Sequence, residues 1–287
     1  MPEGHTVHRT ANAFNAAFGG LPVLLDSPQG RFSGGAALVS GRQLKRAKAI
    51  GKQLFLQFAG IDEPLTVRIH LGIYGKWAWC AFDSADALVE FLAKPPVGEV
   101  RARFYTALQT QALGSAVGLF HLAELRGPTV CEVLEPQEVA VVERRLGPDP
   151  LNPDPRGAEF ERFLARVSGS GKSIGLLLMD QAVVSGIGNV YRAELLFRAG
   201  IDPYTPGNRL SGEQLHSLWK DSVALLKVGV KTGFMITRNE LFTKNPDKET
   251  RNFVYKREGQ PCRVCATSVS IAIEGGRKLY WCAGCQR

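Results

Sequence analysis

Residues 145–157, RLGPDPLNPDPRG, hold four prolines and two glycines, and neither a helix interior nor a central strand survives that density. The 287-residue chain is thereby divided, and its two sides carry different periodicities. Before the break, short apolar runs punctuated by glycine read as strands: QLFLQF at 53–58, LTVRIHL at 65–71, KWAWCAF at 76–82 and ARFYTALQ at 102–109. One helix precedes them over 3–18, where Val7, Ala11, Phe14 and Phe18 form the apolar stripe, Pro2 suits the first turn and Gly19-Gly20 the end. After the break AEFERFLARV, IGLLLMDQAVV, GNVYRAELLFRAG and GEQLHSLWKDSVALLKVGV all show helical spacing. The expectation is an α+β multidomain chain: an N-terminal helix plus antiparallel β-sandwich over 1–135, a linker over 136–157, a helical domain over 158–250 and a small metal module over 251–287.

The module rests on Cys262, Cys265, Cys282 and Cys285, two CxxC pairs separated by sixteen residues. Two thiolates on each of two turns can meet at a tetrahedral point, the geometry zinc takes from four sulfurs; two disulfides or four free thiols are the alternatives. Four sulfurs leave no open position for water, so one Zn2+ there would be structural. Cys80 and Cys131 stand alone and read as buried small hydrophobes. Between the pairs, IEGGRKLYWC offers a Gly-Gly turn followed by Arg277 and Lys278. A hairpin tip of that kind can hold cations against a phosphate, or can be a solvated turn.

Lys and Arg number 35 against 27 Asp and Glu, a net charge of +8. The excess suits a polyanion such as nucleic acid, though an anionic membrane or plain solubility would also fit it. No run of eighteen apolar residues marks a membrane span, and MPEGHTVHRT lacks the pattern of a secretory signal, so a cytoplasmic, nucleoid-associated protein is expected.

Residues 173–201 read as a helix, a turn at Ser185-Gly186-Ile187-Gly188, and a second helix from Asn189. Glycines let backbone approach a phosphate, and a helix N-terminus aims free N–H groups at it; simple packing is the alternative. Pro2 follows the initiator methionine, whose removal would leave a nucleophilic secondary amine beside Glu3, although a helix merely starting PEG accounts for the same residues. His5 and His8 share a helix face without further ligands nearby and read as polar helix or DNA-lining residues.

Five stretches in order, MPEGHTVHR, GKQLFLQF, HLGIYG, DQAVVSGIGNVYRAELLFRAGI and GGRKLYWCAGCQR behind the first CxxC, resemble the Fpg/Nei family of bacterial formamidopyrimidine-DNA glycosylase and endonuclease VIII. The opening PEG and Tyr74 resemble the endonuclease VIII branch more, whereas Gly72 stands where that branch has a polar residue. The resemblance implies a bifunctional DNA glycosylase/AP lyase in base excision repair, removing oxidised bases, pyrimidines favoured, through a Schiff base with β,δ-elimination. It makes Pro2 the nucleophile, Glu3 the acid/base and Lys52 the phosphate grip at the lesion. It also makes the helical domain a helix-two-turn-helix and the tail a zinc finger. Asn189 and Arg277 become phosphate ligands, Lys172 joins the DNA-binding set, and Ile73 with Tyr74 is the wedge that fills the gap left by a flipped base. A monomer acting on damaged DNA, with no organic cofactor, is expected; a non-enzymatic zinc-containing DNA-binding protein is the competing reading.

Overall fold

The computed structural model describes residues 2–107, 119–242 and 245–287, so the last two residues of the strand expected over 102–109 lie outside the described residues. The chain forms two compact units. One comprises Pro2 and Val7–Glu143, the other Glu3–Thr6 and Arg144–Arg287. Among the described residues no helix is long and apolar enough to cross a membrane.

Helix α1 spans Gly4–Phe18, and Val7, Ala11, Phe14 and Phe18, which belong to the first unit, lie on its buried face. The strands are β1 Pro22–Asp26, β2 Arg42–Ile50, β3 Gln53–Phe58, β4 Leu65–His70, β5 Lys76–Phe82, β6 Val100–Thr106, β7 Phe120–Arg126 and β8 Val130–Leu134. They form one antiparallel ladder in the order β5-β7-β6-β1-β2-β3-β4-β8. The sandwich is thus a single continuous sheet, narrowest at the β1–β2 junction, where only Pro22↔Gln43 and Val23↔Arg42 pair. Phe104, Ala123 and Leu125 from one end share a core with Leu54, Leu56, Val67 and Ile69 from the other, and Phe14 and Phe18 join it. Side chains alternate between the two faces of the sheet, so that in β7 Ala123 and Leu125 join this core while Phe120 and Leu122 join a smaller cluster with Leu88. Helices α2 Ser33–Val39 and α3 Ala85–Ala93 flank the sheet; the latter is capped by the Ser84 hydroxyl accepting from Ala87 N–H at 3.2 Å. The stretch expected as linker opens with a helix, α4 Pro136–Arg144, before the proline-rich segment begins.

The second unit holds α5 Ala158–Ser168, α6 Ile174–Leu177, α7 Asn189–Ala199 and α8 Gly212–Thr232 around Phe163, Leu178, Tyr191, Leu195, Leu218 and Leu225. Helix α8 begins with a reciprocal capping box between Ser211 and Gln214. The helix expected across 174–184 stops at Leu177. From there to Gly188 the chain makes successive turns, because local side chains offer the backbone other partners: the Asp180 carboxylate accepts from Ala182 N–H at 2.9 Å. Gln181 accepts from Gly186 N–H at 3.0 Å and donates to the Ile187 carbonyl at 3.0 Å. The tail is a hairpin of β9 Ser270–Glu274 and β10 Arg277–Trp281. Its turn residues Gly275 and Gly276 take φ of +56° and +72°, as a two-residue hairpin requires.

Candidate active site

The first unit carries Pro2, Lys52, Ile73 and Tyr74. Pro2 precedes α1 and is half-buried. Lys52 occupies the two-residue turn between β2 and β3, where Ile50 pairs with Gln53. His70, which the sequence reading left unassigned, pairs with Gln53 across β3 and β4. Burial first, then the charges of Lys52 and Arg68, hold its imidazole below the usual 6.5, so it is a neutral ring beside the Lys52 turn. Histidine inside HLGIYG was in view in the sequence, but its closeness to Lys52 is created by strand register.

Ile73 and Tyr74 occupy the loop joining β4 to β5 and are 42% and 86% exposed. Two apolar side chains at a loop tip, held out into water by a rigid sheet, are unfavourable for folding and well shaped for insertion between bases. Gly72 explains itself here. Its φ is +66°, and a Cβ at that position would lie 1.9 Å from the Thr129 hydroxyl, so a side chain before the pair would be strained and would have to displace Thr129.

The second unit carries Glu3, which lies against the backbone of the glycine-rich turn. What approaches that backbone is a carboxylate of this chain. Glu3 is fully buried. Its Oε2 accepts from Gly188 N–H at 2.9 Å and from Tyr191 N–H at 3.4 Å, and its Oε1 from Val190 N–H at 2.9 Å. The N-terminal donors of α7 are thereby taken up by Glu3, with the positive end of the helix dipole behind them. Gly188 is required for this: a Cβ there would stand 2.5 Å from the Glu3 carboxyl carbon. Burial, then the charge of Glu3, pushes the Tyr191 phenol well above 10. His5 packs edge-on to Tyr191 at 5.5 Å between ring centroids and is 2% exposed, so it does not line an outer surface.

Asn189 is the first residue of α7 and is also buried. Its amide donates to the Lys278 carbonyl at 2.8 Å, while its oxygen accepts from Arg192 at 2.5 Å. Arg192 is fully buried, also donates to the Lys278 carbonyl at 3.1 Å, and lies 3.5 Å from the Glu274 carboxylate, whose other oxygen accepts from Ser173 at 2.6 Å. Burial lowers the Arg192 guanidinium's affinity for its proton and Glu274 opposes the shift. These bonds clamp the β9–β10 hairpin onto α7. Arg277 and Lys278 stay exposed beyond the turn, and Lys172 is exposed ahead of α6.

The sulfurs of Cys262, Cys265, Cys282 and Cys285 all lie within 4.8 Å of one another, with 3.9 Å for Cys262 to Cys285 and 3.4 Å for Cys265 to Cys282. A tetrahedral zinc with bonds of about 2.3 Å needs sulfurs roughly 3.8 Å apart, so the cluster fits that ion. Cys80 and Cys131 are half-buried and pack against separate apolar clusters; burial pushes the Cys131 thiol up to about 12, which keeps it inert.

The profile of the formamidopyrimidine-DNA glycosylase N-terminal domain matches residues 1–114, and that of the formamidopyrimidine-DNA glycosylase H2TH domain matches residues 146–240. The chain belongs to the Fpg/Nei family. Endonuclease 8 1 of Mycobacterium tuberculosis is 43% identical over 291 residues, covering both chains fully. The formamidopyrimidine-DNA glycosylase of Methylococcus capsulatus is 30% identical, over 87% of this chain and 84% of its own. In fold, the chain matches the Lactococcus lactis formamidopyrimidine-DNA glycosylase non-covalently bound to AP-site DNA, with TM-score 0.75 at 19% identity and 99% of each chain covered. The family members are DNA glycosylases of base excision repair, and this is the activity class of the chain.

Proposed function

We propose that the chain is a bifunctional DNA glycosylase/AP lyase that removes oxidised bases, pyrimidines favoured by its likeness to endonuclease 8, and then cuts the strand. The observation that carries the reading is the carboxylate of Glu3, buried, held by three backbone donors and next in sequence to Pro2. An acid/base group must hold one geometry through proton transfer, and a helix N-terminus is a stiff mount for it. With Met1 removed, the Pro2 nitrogen attacks C1′ of the flipped nucleotide, the C1′–base bond breaks, and the base leaves with a proton taken from water. The proton that the Pro2 nitrogen sheds on bonding passes to the Glu3 carboxylate, which delivers it to the sugar oxygen, so that the C1′–oxygen bond breaks and the ring opens to the iminium. The iminium cation then withdraws electrons, the 2′ proton is lost, and the 3′ and then the 5′ phosphate are eliminated. Water finally hydrolyses the imine and frees the amine.

Around that chemistry Lys52 grips the phosphate at the lesion, with neutral His70 able to donate a hydrogen bond beside it, and Ile73 with Tyr74 fills the vacated stack. Arg277 and Lys172 bind backbone phosphates. Asn189 can join them through the second hydrogen of an amide that already donates to Lys278. The four cysteines would hold one Zn2+ whose contribution is structural, fixing the hairpin that bears Arg277. The protein acts as a cytoplasmic monomer on damaged DNA.

Borohydride added during incubation with DNA containing an abasic site reduces the imine to a stable crosslink. Wild type should be trapped, and Pro2→Gly or a form retaining Met1 should not, with DNA affinity changed no more than a few fold. Normal trapping of either form refutes the nucleophile. Absence of trapping by wild type, with DNA binding intact, leaves the non-enzymatic DNA-binding reading.

A further inference from the structure

On the second unit, Arg144, Arg145, Arg166 and Lys172 line an open cleft of about 590 Å³ together with Ser170, Leu177, Asp180, Ala182 and Val183. The four cations arrive from three places: the end of α4 and the residue after it, the C-terminal turn of α5, and the loop before α6. Three arginines elsewhere on this unit have acidic partners: Arg198 meets Asp221 at 2.7 Å, Arg162 meets Glu159 at 2.9 Å and Arg238 meets Glu240 at 2.6 Å. In the cleft, by contrast, Arg144, Arg145 and Lys172 have no ion-pair partner among the described residues. Arg166 is turned by donating to the Ala182 carbonyl. The one carboxylate, Asp180, already accepts from Ala182 N–H. Four cations against one acid are mutually repulsive, and that repulsion is relieved by a bound polyanion.

We propose that this cleft is a further seat for the DNA backbone, with Arg144, Arg145 and Arg166 adding phosphate contacts to that of Lys172. The proposal rests on the reading of the chain as a DNA-acting enzyme. The cleft suits a continuous phosphodiester better than a free anion for two reasons. Arg144, Arg145 and Lys172 are exposed, which suits a chain of charges passing over them, whereas a small anion is held by buried, converging donors. The lining also offers no aromatic platform for a nucleobase, so it has nothing with which to select a nucleotide. Contacts of this kind carry no base information and serve affinity and register.

The test is a salt titration of binding to a duplex with a central tetrahydrofuran abasic-site analogue, for wild type and for R144Q/R145Q. Both arginines are exposed and make no ion pair among the described residues, so the double variant should fold with unchanged Tm. Each lost phosphate contact should lower the slope of log Kd against log[salt] by roughly 0.9. At 0.1 M salt that is about eightfold weaker binding per contact relative to 1 M, with the two proteins converging near 1 M. The single-turnover rate on an abasic duplex at saturating enzyme should stay within twofold, because chemistry is untouched. R166Q should add to the loss. An unchanged slope in R144Q/R145Q overturns the proposal, as does a slope change accompanied by a slower saturated rate. Inorganic phosphate at fixed ionic strength should weaken both proteins equally; if it erases the difference between them, the cleft is a free-phosphate site and the proposal fails. If wild type itself does not bind the duplex, the enzyme reading fails instead, and the two failures are distinct.

Discussion

Exchanging Glu3 for glutamine keeps the side chain's volume and removes both its charge and one of its two acceptors. In the native arrangement Oε1 serves Val190 N–H and Oε2 serves Gly188 and Tyr191 N–H. A glutamine can orient its oxygen toward only one of these sets. The less damaging choice keeps Gly188 and Tyr191 and turns an NH2 group against Val190 N–H. Because Glu3 is fully buried, that N–H cannot turn to water, and an unsatisfied buried donor costs about 1–3 kcal/mol. Loss of the negative charge at the α7 N-terminus adds up to about 2 kcal/mol. Together these come to about 3 kcal/mol, or a Tm lower by roughly 10 °C for a unit of this size. The variant should also fall by roughly 100-fold or more in excising a damaged base, yet lose less on a preformed abasic site, where no base departs. The assays are thermal unfolding by circular dichroism and single-turnover cleavage of both substrates at 25 °C. A Tm within 2 °C of wild type would refute the capping role, and equal kinetic losses on the two substrates would refute the proton role.

Arg277→Ala should keep its zinc and weaken binding alike on damaged and undamaged duplexes, flattening the salt slope by about one unit; an unchanged slope would make the arginine a solvated turn residue. Cys282→Ser should release metal, measured by a chromogenic zinc assay, and lose hairpin order and DNA affinity together, since folding and metal binding are one event; retained affinity without metal contradicts that linkage. His70 contributes a pH dependence of known sign. Its folded-state pKa lies below 6.5, so between the two values the unfolded chain binds more protons. The stability it contributes is full above pH 6.5 and is lost as pH falls through the folded value. His70→Gln should flatten Tm against pH in that window, and an unchanged profile would place the neutral ring elsewhere.

What could be read from sequence was what is decided locally. The CxxC pairs sit on turns of their own making, the Gly275-Gly276 turn follows from residue type, and Val7, Ala11, Phe14 and Phe18 need only a helical period to find the core. Segment length was harder. The apolar spacing that starts at Ile174 is not enough to hold a helix past Leu177, because Asp180 and Gln181 offer closer partners to the backbone. Long-range closure was invisible. Nothing near Glu3 says that Gly188 and Val190, some 185 residues away, are its donors. Strand order had the same fate, since β1 pairs with β6 across most of the unit, and so did the meeting of Lys52 with His70.

The clamp of Arg192 under the β9–β10 hairpin limits how this region can drift over evolutionary time. Glu274 and Lys278 reach the buried guanidinium from opposite strands, so the number of residues between them sets the register in which both can arrive. Substitutions at the exposed Arg277 are open to selection for different nucleic acids, because that position hangs outside the clamp. Insertions between Glu274 and Lys278 are not, because shifting Glu274 leaves a cation sealed in the protein without its counter-charge, and shifting Lys278 takes away its carbonyl acceptor. The hairpin is therefore free in what it presents and fixed in how long it is.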